Sequence, residues 1–391
     1  FRRVLFRSMT NHTEIEKAPV NWPVTLVLGL TFLAAVTIVP WYGFTVGYSA
    51  WAWVFFVIFT IATGIGIGSG YHRLWSHRAY EAHWIMRLYL AIVGGMAIQN
   101  SILVWAADHR RHHRHVDDNQ DDPYSAGRGL WYSHIGWMLR EYAAEPQNLD
   151  NVQDLMRDPI VRWQHKHYLG IALGMNVLPP LLLGMMLGDV IGYLLLVGVL
   201  RLVVNHHVTF CINSLAHFWG SQPYTRNNSA RDNHLIAFFT YGEGYHNYHH
   251  EFQSDYRNGV RWWHWDPTKW LIKCCSWLGL ARNLKRIPDF KIQRALLTAQ
   301  FERARERLER AGNAEYWRQR LEVEYQEFLA SLNEWKALQQ RRIELQKTAV
   351  GEMLQDRWDS VTERTRLKEL EYALKMQRKR LRYLTLQLQP A

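Results

Sequence analysis

Two stretches near the start of the chain contain no charged residue. They cover residues 24–39 and 48–70, and residues 40–43, which begin with a proline, lie between them. A helix needs about 20 apolar residues to cross the hydrocarbon core of a bilayer. The pattern therefore predicts a transmembrane hairpin with its turn at residues 40–43, and Trp22 and Pro23 extend the shorter first span.

A second long apolar stretch covers residues 168–204. It is interrupted by Pro179 and Pro180, and again by Gly188 and Asp189. This pattern predicts two further spans with a turn near Gly188. Buried helices of a large soluble protein are the alternative, and the pairing of the runs favours spans.

Residues 85–107 are also mostly apolar, but they contain Arg87, Gln99 and Asn100. Histidine-rich segments stand on both sides of this stretch. They can share a metal only if the chain returns to the same side of the membrane. We therefore interpret residues 85–107 as a re-entrant or interfacial helical pair.

The side that carries the histidines, together with both termini, is predicted to be cytoplasmic. Short segments next to the cytoplasmic ends of spans are enriched in Lys and Arg. Such residues on this side are Arg73, Arg78, Arg110, Arg111, Arg114, Arg157, Arg162 and Lys166. The predicted location is the bacterial inner membrane or the endoplasmic reticulum, with several passes through the bilayer.

After residue 290 the composition shifts to Glu, Arg, Gln and Leu, without proline between Pro288 and Pro390. Two series of mostly apolar residues there follow the spacing of coiled-coil seams. They are Leu321, Tyr325, Phe328, Leu332 and Trp335, and then Leu367, Leu370, Leu374, Gln377, Leu381, Leu384 and Leu388. A helical extension is predicted, either folded on itself with a turn at Gly351 or paired between chains. We assign no chemistry to it.

These patterns predict an all-α integral membrane protein with four transmembrane helices in two hairpins, a cytoplasmic helical cap and a C-terminal extension. The predicted divisions are an N-terminal segment (1–21), the first hairpin (22–70), cap residues 71–167, the second hairpin (168–210), further cap residues (211–290) and the extension (291–391).

The 391 residues include 46 Lys and Arg against 35 Asp and Glu, for a formal charge of +11. Such an excess suits nucleic acid, an anionic membrane surface or a phosphorylated substrate. The sequence has no zinc-finger, RRM-like or helix-turn-helix pattern, so nucleic acid is not an expected partner. Three cysteines are too few for a disulfide-stapled secreted fold.

Histidine has the most informative distribution, because 17 of the 19 histidines lie within residues 72–250. Four groups stand out: His72 and His77; His109, His112 and His113; Asn213 and His217; and His246, His249 and His250. Helical residues at i, i+3 and i+4 share a face, so the second and fourth groups each present three imidazoles together. The third group presents an amide and an imidazole in the same way. The two histidines of the first group, at i and i+5, do not share one helix face. This group is expected at a frayed helix end.

Nine imidazoles and one amide exceed the needs of one tetrahedral zinc ion and suit two five- or six-coordinate ions. Imidazole binds iron, copper, nickel and zinc alike, so the ligand type leaves the metal open. Two metals with open positions and no thiolates favour iron and oxygen activation. The zinc-hydrolase pattern HExxH is missing. Asp108 and Glu243 are candidates for orienting ligand imidazoles, unless they are ordinary solvated acids.

At these residues the sequence resembles the membrane-bound acyl-CoA desaturases of the stearoyl-CoA, delta-9 type, over about residues 24–288. The matching motifs are HRLWSH at 72–77, HRRHH at 109–113, NSLAH at 213–217 and GEGYHNYHH, which ends at His250. The related membrane hydroxylases share spaced histidine motifs but not HRLWSH together with GEGxHNYHH.

The resemblance implies a cap that holds two iron ions, bound by the nine histidines, with Asn213 contributing through a water. It also implies a bent apolar tunnel for the acyl chain. The residues that match the kink of that tunnel are Gln99, Trp105 and Thr209.

Asn100 and Asp108 match positions that contact coenzyme A in this family. Other such positions differ here: Ala107 replaces an arginine, and a Glu-Tyr pair at 141–142 replaces an Arg-Lys pair, for which Arg140 is a possible substitute. The acyl carrier therefore stays open between CoA, a lipid and acyl carrier protein.

The chemistry of the implied reaction explains the metals. A saturated methylene has neither an acidic proton nor a leaving group, so its hydrogens must be removed by an oxidant made from O₂. Burial of each CH₂ contributes about 0.8 kcal/mol, which holds a long chain in one register against the metals. The small residues Thr60 and Gly64, upstream of HRLWSH, are predicted to line the tunnel floor.

Reduction of O₂ consumes two electrons per turnover, and the chain has no flavin, NAD or haem motif. A separate electron donor of cytochrome b5 or ferredoxin type is therefore expected. The predicted function is O₂-dependent desaturation of a long-chain saturated fatty acyl thioester. One alternative is a di-iron hydroxylase. Another is a histidine-rich metal transporter, which predicts charged residues inside the spans, where residues 48–70 have none.

Overall fold

The computed structural model of the protein describes residues 18–142, 148–310, 315–348 and 355–387. These residues are mostly helical and include one small antiparallel sheet, formed by β1 (Glu81–Ala82) and β2 (Ala281–Arg282). The described residues divide into two compact units, which fall within residues 1–71 with 88–214 and within residues 72–87 with 215–391. The predicted all-α class is confirmed.

The helices up to residue 213 are α1 (Trp22–Val36), α2 (Ile38–Thr45), α3 (Ala50–Ile65), α4 (Trp84–Gly95), α5 (Ile102–Arg114), α6 (Trp137–Leu139), α7 (Gln153–Met156), α8 (Pro159–Lys166), α9 (Tyr168–Leu187), α10 (Val190–Tyr193) and α11 (Arg201–Asn213). Those after it are α12 (Leu215–Phe218), α13 (His234–Phe239), α14 (His246–Glu251), α15 (Pro267–Trp277), α16 (Asp289–Arg310), α17 (Glu315–Thr348) and α18 (Gln355–Gln387). The π-helical segments are Gly66–Ser76, Tyr132–Gly136 and Leu194–Leu200, and the 3₁₀ turns are Ala126–Arg128 and Asp150–Val152.

Four helical stretches have the length and composition to cross a membrane, which confirms the four predicted membrane helices. They are Trp22–Thr45, Ala50–Ser76, Tyr168–Leu187 and Val190–Phe218. The last two are joined at Gly188, as the sequence predicts, where φ is +83°. The Asp189 side chain then caps α10 by accepting the N–H of Gly192 at 2.8 Å.

The turn of the first hairpin lies later than predicted. The chain stays helical through Pro40 to the end of α2 and turns at residues 46–49, where Gly47 has a φ of +87°. Pro40 is the third residue of α2, and the first N–H groups of a helix have no intrahelical partner. The missing N–H of proline therefore costs the helix nothing at this position.

Side chains from α9 and α11 satisfy the non-helical backbone between α4 and α5. Asn176 and Arg201 donate to the carbonyl oxygen of Met96 at 3.0 and 3.1 Å, and His206 Nε2 lies 2.8 Å from the carbonyl oxygen of Ala97. Irregular backbone at membrane depth requires such partners. The predicted helical pair is thus present, and its position in the membrane stays a prediction.

The C-terminal extension folds on itself. Helices α16, α17 and α18 share a buried core to which both predicted seams contribute, with Phe328, Leu374 and Leu381 among its members. Phe290 stacks on Trp335 with ring centroids 4.4 Å apart. The seams therefore pack within one chain, and self-association stays a prediction. Gly351 and Leu388, named in the sequence analysis, lie outside the described residues.

We expect Leu374→Ala to loosen the extension, because Leu374 is fully buried and truncation of such a side chain costs about 2–5 kcal/mol. Limited proteolysis with trypsin should cut the extension faster in this variant. Leu386→Ala is the matched control, since Leu386 lies on the same helix and is 46% exposed. Equal cleavage rates for the two variants would contradict the shared core.

Candidate metal centre

His72 lies in the π-helical segment Gly66–Ser76, which continues α3, and His77 follows directly after this segment. Hydrogen bonds of a π-helix join residues five apart, and the N–H of His77 donates to the carbonyl oxygen of His72 at 3.1 Å. The helix end expected beyond the second span is present, but it is hydrogen-bonded as a π-helix and is not frayed. The π-helical turn instead brings the two imidazoles together, with ring centroids 4.8 Å apart.

His249 of α14 joins this pair. Its Nε2 lies 3.0 Å from Nε2 of His72, and its ring centroid lies 4.6 Å from that of His77. One nitrogen of each ring lies within 4.8 Å of the other two. We call these three residues the first histidine set.

A second histidine set consists of His217 of α12 and of His246 and His250 of α14. The Nε2 atom of His246 lies 3.1 Å from Nε2 of His217 and 3.1 Å from Nε2 of His250. All three rings are buried. The three histidines of α14 thus divide between the two sets: His246 and His250, four positions apart, belong to the second set, and His249 belongs to the first.

The nitrogen spacings fit metal ions. An imidazole nitrogen lies about 2.1 Å from a bound divalent ion, so two in adjacent octahedral positions are about 3.0 Å apart. The Nε2 separations of 3.0 and 3.1 Å in the two sets match this value. Each set can therefore hold a metal ion.

Helix α5 carries three more histidines of the predicted site. The rings of His109 and His113 lie with centroids 4.6 Å apart, as their i, i+4 spacing predicts. Trp105, one turn earlier, stacks on His109 at 4.7 Å. His109 Nδ1 also lies 3.2 Å from the hydroxyl of Tyr124. These contacts fix the direction in which the His109 ring points.

Glu243 orients a ring of the first set. Its Oε2 lies 2.8 Å from Nδ1 of His72, and its Oε1 accepts a hydrogen bond from Arg73 at 2.8 Å. Burial alone would raise the pKa of Glu243, but Arg73 and His72 lower it to about 2. The carboxylate thus accepts the Nδ1–H of His72 and leaves the Nε2 lone pair for a metal.

Two further orienting groups were not identified in the sequence. Asp122 places its carboxylate 2.9 Å from Nδ1 of His112, and the hydroxyl of Ser229 lies 2.7 Å from Nδ1 of His217. Asp122 belongs to an acid-rich run, residues 117–122, in which nothing distinguishes it from its neighbours. Its side chain is 0% exposed, and only the tertiary structure reveals this.

Two sequence expectations differ from the structure. Asp108 forms an ion pair with Arg111 at 2.8 Å, whereas the sequence offered it as a partner of a ligand imidazole. Asn213 ends α11, and the backbone breaks at Ser214, with φ −110° and ψ −80°, before α12 begins. Asn213 and His217 therefore do not lie on one continuous helix.

The structure also locates the residues that match the tunnel of the resembling family. The amide of Gln99 donates to the hydroxyl of Thr209 at 3.0 Å, so two of the three kink positions are in contact. The N–H of Asn100 donates to the hydroxyl of Tyr168 at 3.0 Å. Thr60 is buried and donates to its own helix at the carbonyl of Phe56, and Gly64 follows one turn later.

Comparison with known proteins adds independent information. A sequence model of the family described as fatty acid desaturase matches residues 48–276. The chain is 44% identical over 279 residues to a protein of Schizosaccharomyces pombe named probable acyl-CoA desaturase. The aligned residues make up 71% of this chain and 57% of that protein. It is 45% identical over 245 residues to acyl-CoA desaturase 1 of Saccharomyces cerevisiae, over 62% of this chain and 48% of that protein.

A human relative, stearoyl-CoA desaturase 5, is 39% identical over 240 residues, which are 60% of this chain and 72% of that protein. The chain thus spans about half the length of the two yeast relatives. The matched region contains both histidine sets and the histidines of α5. On these grounds the chain belongs to the fatty acid desaturase family.

Proposed function

We propose that the protein catalyses the O₂-dependent desaturation of a long-chain saturated fatty acyl thioester, acyl-CoA at the delta-9 position. The observation that carries the proposal is the pair of histidine sets, in which five of the six rings are buried and the nitrogens are spaced for metal ions. The relatives are named acyl-CoA or stearoyl-CoA desaturases, and we propose an acyl-CoA substrate because of this similarity. Four helices are apolar enough to cross a bilayer, and a lipid environment suits a substrate with a long acyl chain.

The metal we propose is iron, as two ions. The donors are imidazoles without thiolates, which suits a redox metal with open positions. Three imidazoles leave positions vacant on a five- or six-coordinate ion, and we propose that the histidines of α5 and a water held by Asn213 contribute further ligands. The proposed ligands are His72, His77, His109, His112, His113, Asn213, His217, His246, His249 and His250. Iron held by these residues would supply the reductive activation of O₂ that oxidation of unactivated C–H bonds requires.

The chain's own residues orient these ligands. Glu243 and Asp122 each face a ring Nδ1 atom with a carboxylate, which accepts the Nδ1–H and keeps the opposite Nε2 atom unprotonated and directed to the ion. The hydroxyl of Ser229 faces Nδ1 of His217 and holds that ring in place. The low pKa of Glu243, about 2, keeps it ionised as an acceptor throughout the physiological range. A neutral imidazole is the form that binds a metal, so the orienting groups also fix the tautomer.

We propose the residues that bind the substrate from similarity to the family, and the contacts of these residues support the assignment. The hydrogen bond between Gln99 and Thr209 ties α11 to the segment before α5, and Trp105 on α5 supplies a flat wall. We assign these three residues to the kink of the acyl tunnel and Thr60 and Gly64 to its floor. Asn100 and Asp108 are assigned to the thioester carrier.

The electrons come from a separate donor, for which we propose an acidic protein of cytochrome b5 or ferredoxin type. The net charge of +11 favours such a partner through electrostatic attraction. We propose that both termini and the metal site face the cytoplasm, because Lys and Arg are concentrated in the short segments of that side.

Fatty acids of host cells that express this chain should contain new delta-9 monounsaturated products, located by mass spectrometry. His249→Ala should abolish these products because it removes one ring of the first set. His83→Ala is the matched control, since His83 is exposed and outside both sets. Hydroxylated chains would assign the protein to the hydroxylases. Unchanged fatty acids, with metal bound and an electron donor supplied, would contradict an enzymatic role.

Asp122→Asn should weaken metal retention about 10- to 100-fold, because loss of a carboxylate behind a ligand histidine has that typical effect. Metal content after dialysis against a chelator series measures it. The neighbouring Asp121→Asn is the control, as the Asp121 side chain is 64% exposed. Circular dichroism should report the same helix content in both variants. Equal retention would show that Asp122 does not position His112.

Gly64→Leu should shift the products toward shorter acyl chains, because a larger side chain on the tunnel floor shortens the space for the chain end. Gly29→Leu is the control, since a side chain at Gly29 would meet no atom within 4 Å. The chain-length distribution of products is the measurement. An unchanged distribution in Gly64→Leu would remove Gly64 from the tunnel.

A further inference from the structure

A cavity of about 500 Å³ lies between the C-terminal extension and the loop at residues 260–263, entirely within the second unit. Its walls come from this loop, the start of α16 and the middle of α18. The helices lie beyond residues 48–276, which match the family. The volume falls in the range of small-molecule sites, about 300–1,000 Å³.

The walls carry an excess of positive charge. Four cations line the cavity: Arg261, Lys375, Arg378 and Lys379. The carboxylate on its walls, Asp289, lies 3.7 Å from the ammonium of Lys375. Within the described part of the chain, the other three cations form no ion pair with a carboxylate. The cavity is therefore suited to an anion.

Arg378 is the most constrained of these cations. It is half-buried, and its Nη1 donates to the side-chain oxygen of Gln293 at 3.2 Å. Burial and the nearby cations Arg261 and Arg382 lower the pKa of Arg378, although a guanidinium stays charged at physiological pH. A charge held in this way gains from a bound anion, which offers charge-assisted hydrogen bonds in two-pronged geometry.

Two aromatic rings stand beside these charges. Trp263 and Tyr372 line the cavity and are 56% and 65% exposed. The guanidinium of Arg261 lies 5.2 Å from the centre of the Trp263 ring. Flat, exposed ring faces next to guanidinium groups suit a ligand that joins phosphate to a planar ring.

We propose that this cavity binds an organic phosphate of nucleotide size. Its phosphates contact Arg261 and Arg378, and its planar ring packs on Trp263. The site is separate from the histidine sets, and its occupancy does not depend on the proposed desaturation.

Calorimetric titration of the purified full chain in detergent with ADP and with pyrophosphate tests the proposal. ADP should bind saturably and more tightly than pyrophosphate, and Trp263→Ala should remove that difference. Arg378→Gln and Arg261→Gln should each weaken ADP binding about 10- to 100-fold, the typical effect of losing a charged hydrogen bond.

Arg380→Gln is the matched control, because it makes the same charge change on α18 while its guanidinium pairs with Glu324 and Glu327 away from the cavity. ADP binding should be unchanged in it. The proposal fails if neither ligand binds saturably, or if Arg378→Gln and Arg380→Gln behave alike. Loss of ADP binding by the unaltered chain in nanodiscs of phosphatidylglycerol, with full binding in nanodiscs of phosphatidylcholine, would assign the cavity to a lipid headgroup instead.

Discussion

A buried network of charges fixes the backbone around the first histidine set. Arg73 is 1% exposed, and its guanidinium donates to Glu243 at 2.8 Å and to Asp266 at 3.0 Å. Asp266 also accepts the N–H groups of Asn258 and Gly259 at 3.0 and 2.9 Å. Charges removed from water are tolerated only when they are paired and hydrogen-bonded in this way. The network therefore joins the residue after His72 to the segment that precedes α14, and it holds Glu243 against the His72 ring.

The same network explains why Glu243 stands between two glycines. Gly242 has a φ of +102°, and a Cβ there would lie 2.6 Å from the Asp266 carboxylate. A Cβ on Gly244 would lie 2.2 Å from the backbone nitrogen of Ala237. Only glycine allows the chain to pass so close to its neighbours at both positions. The Gly-Glu-Gly sequence is thus a requirement of packing around a buried carboxylate.

Periodicity and charge were sufficient to predict the membrane helices, the helical extension and the histidine groups, since each leaves a local pattern in the sequence. The π-helix that brings His72 and His77 together could not be predicted, because its hydrogen bonding depends on tertiary context and propensity favours the α-helix. The role of Asp122 was equally hidden. Its carboxylate accepts N–H groups from Asp117 and Tyr124 as well as facing His112, and only the folded loop creates that pocket. The turn predicted at Pro40 was wrong because the composition does not show that this proline lies in the first turn of a helix.

Helix α5 links the two halves of the proposed chemistry. Trp105, assigned to the tunnel, and His109, assigned to the metal, lie one turn apart and stack at 4.7 Å. A helix rises about 1.5 Å per residue, so Trp105 and His109, which are four positions apart, are separated by about 6 Å along the axis of α5. The N-terminal end of this helix is held by the Ile102 N–H, which donates to Gln164 at 3.1 Å. The spacing of Trp105 and His109 is thus set by the backbone geometry of α5. Under the proposed function, this rigid spacing is what selects the carbon atoms that lose hydrogen.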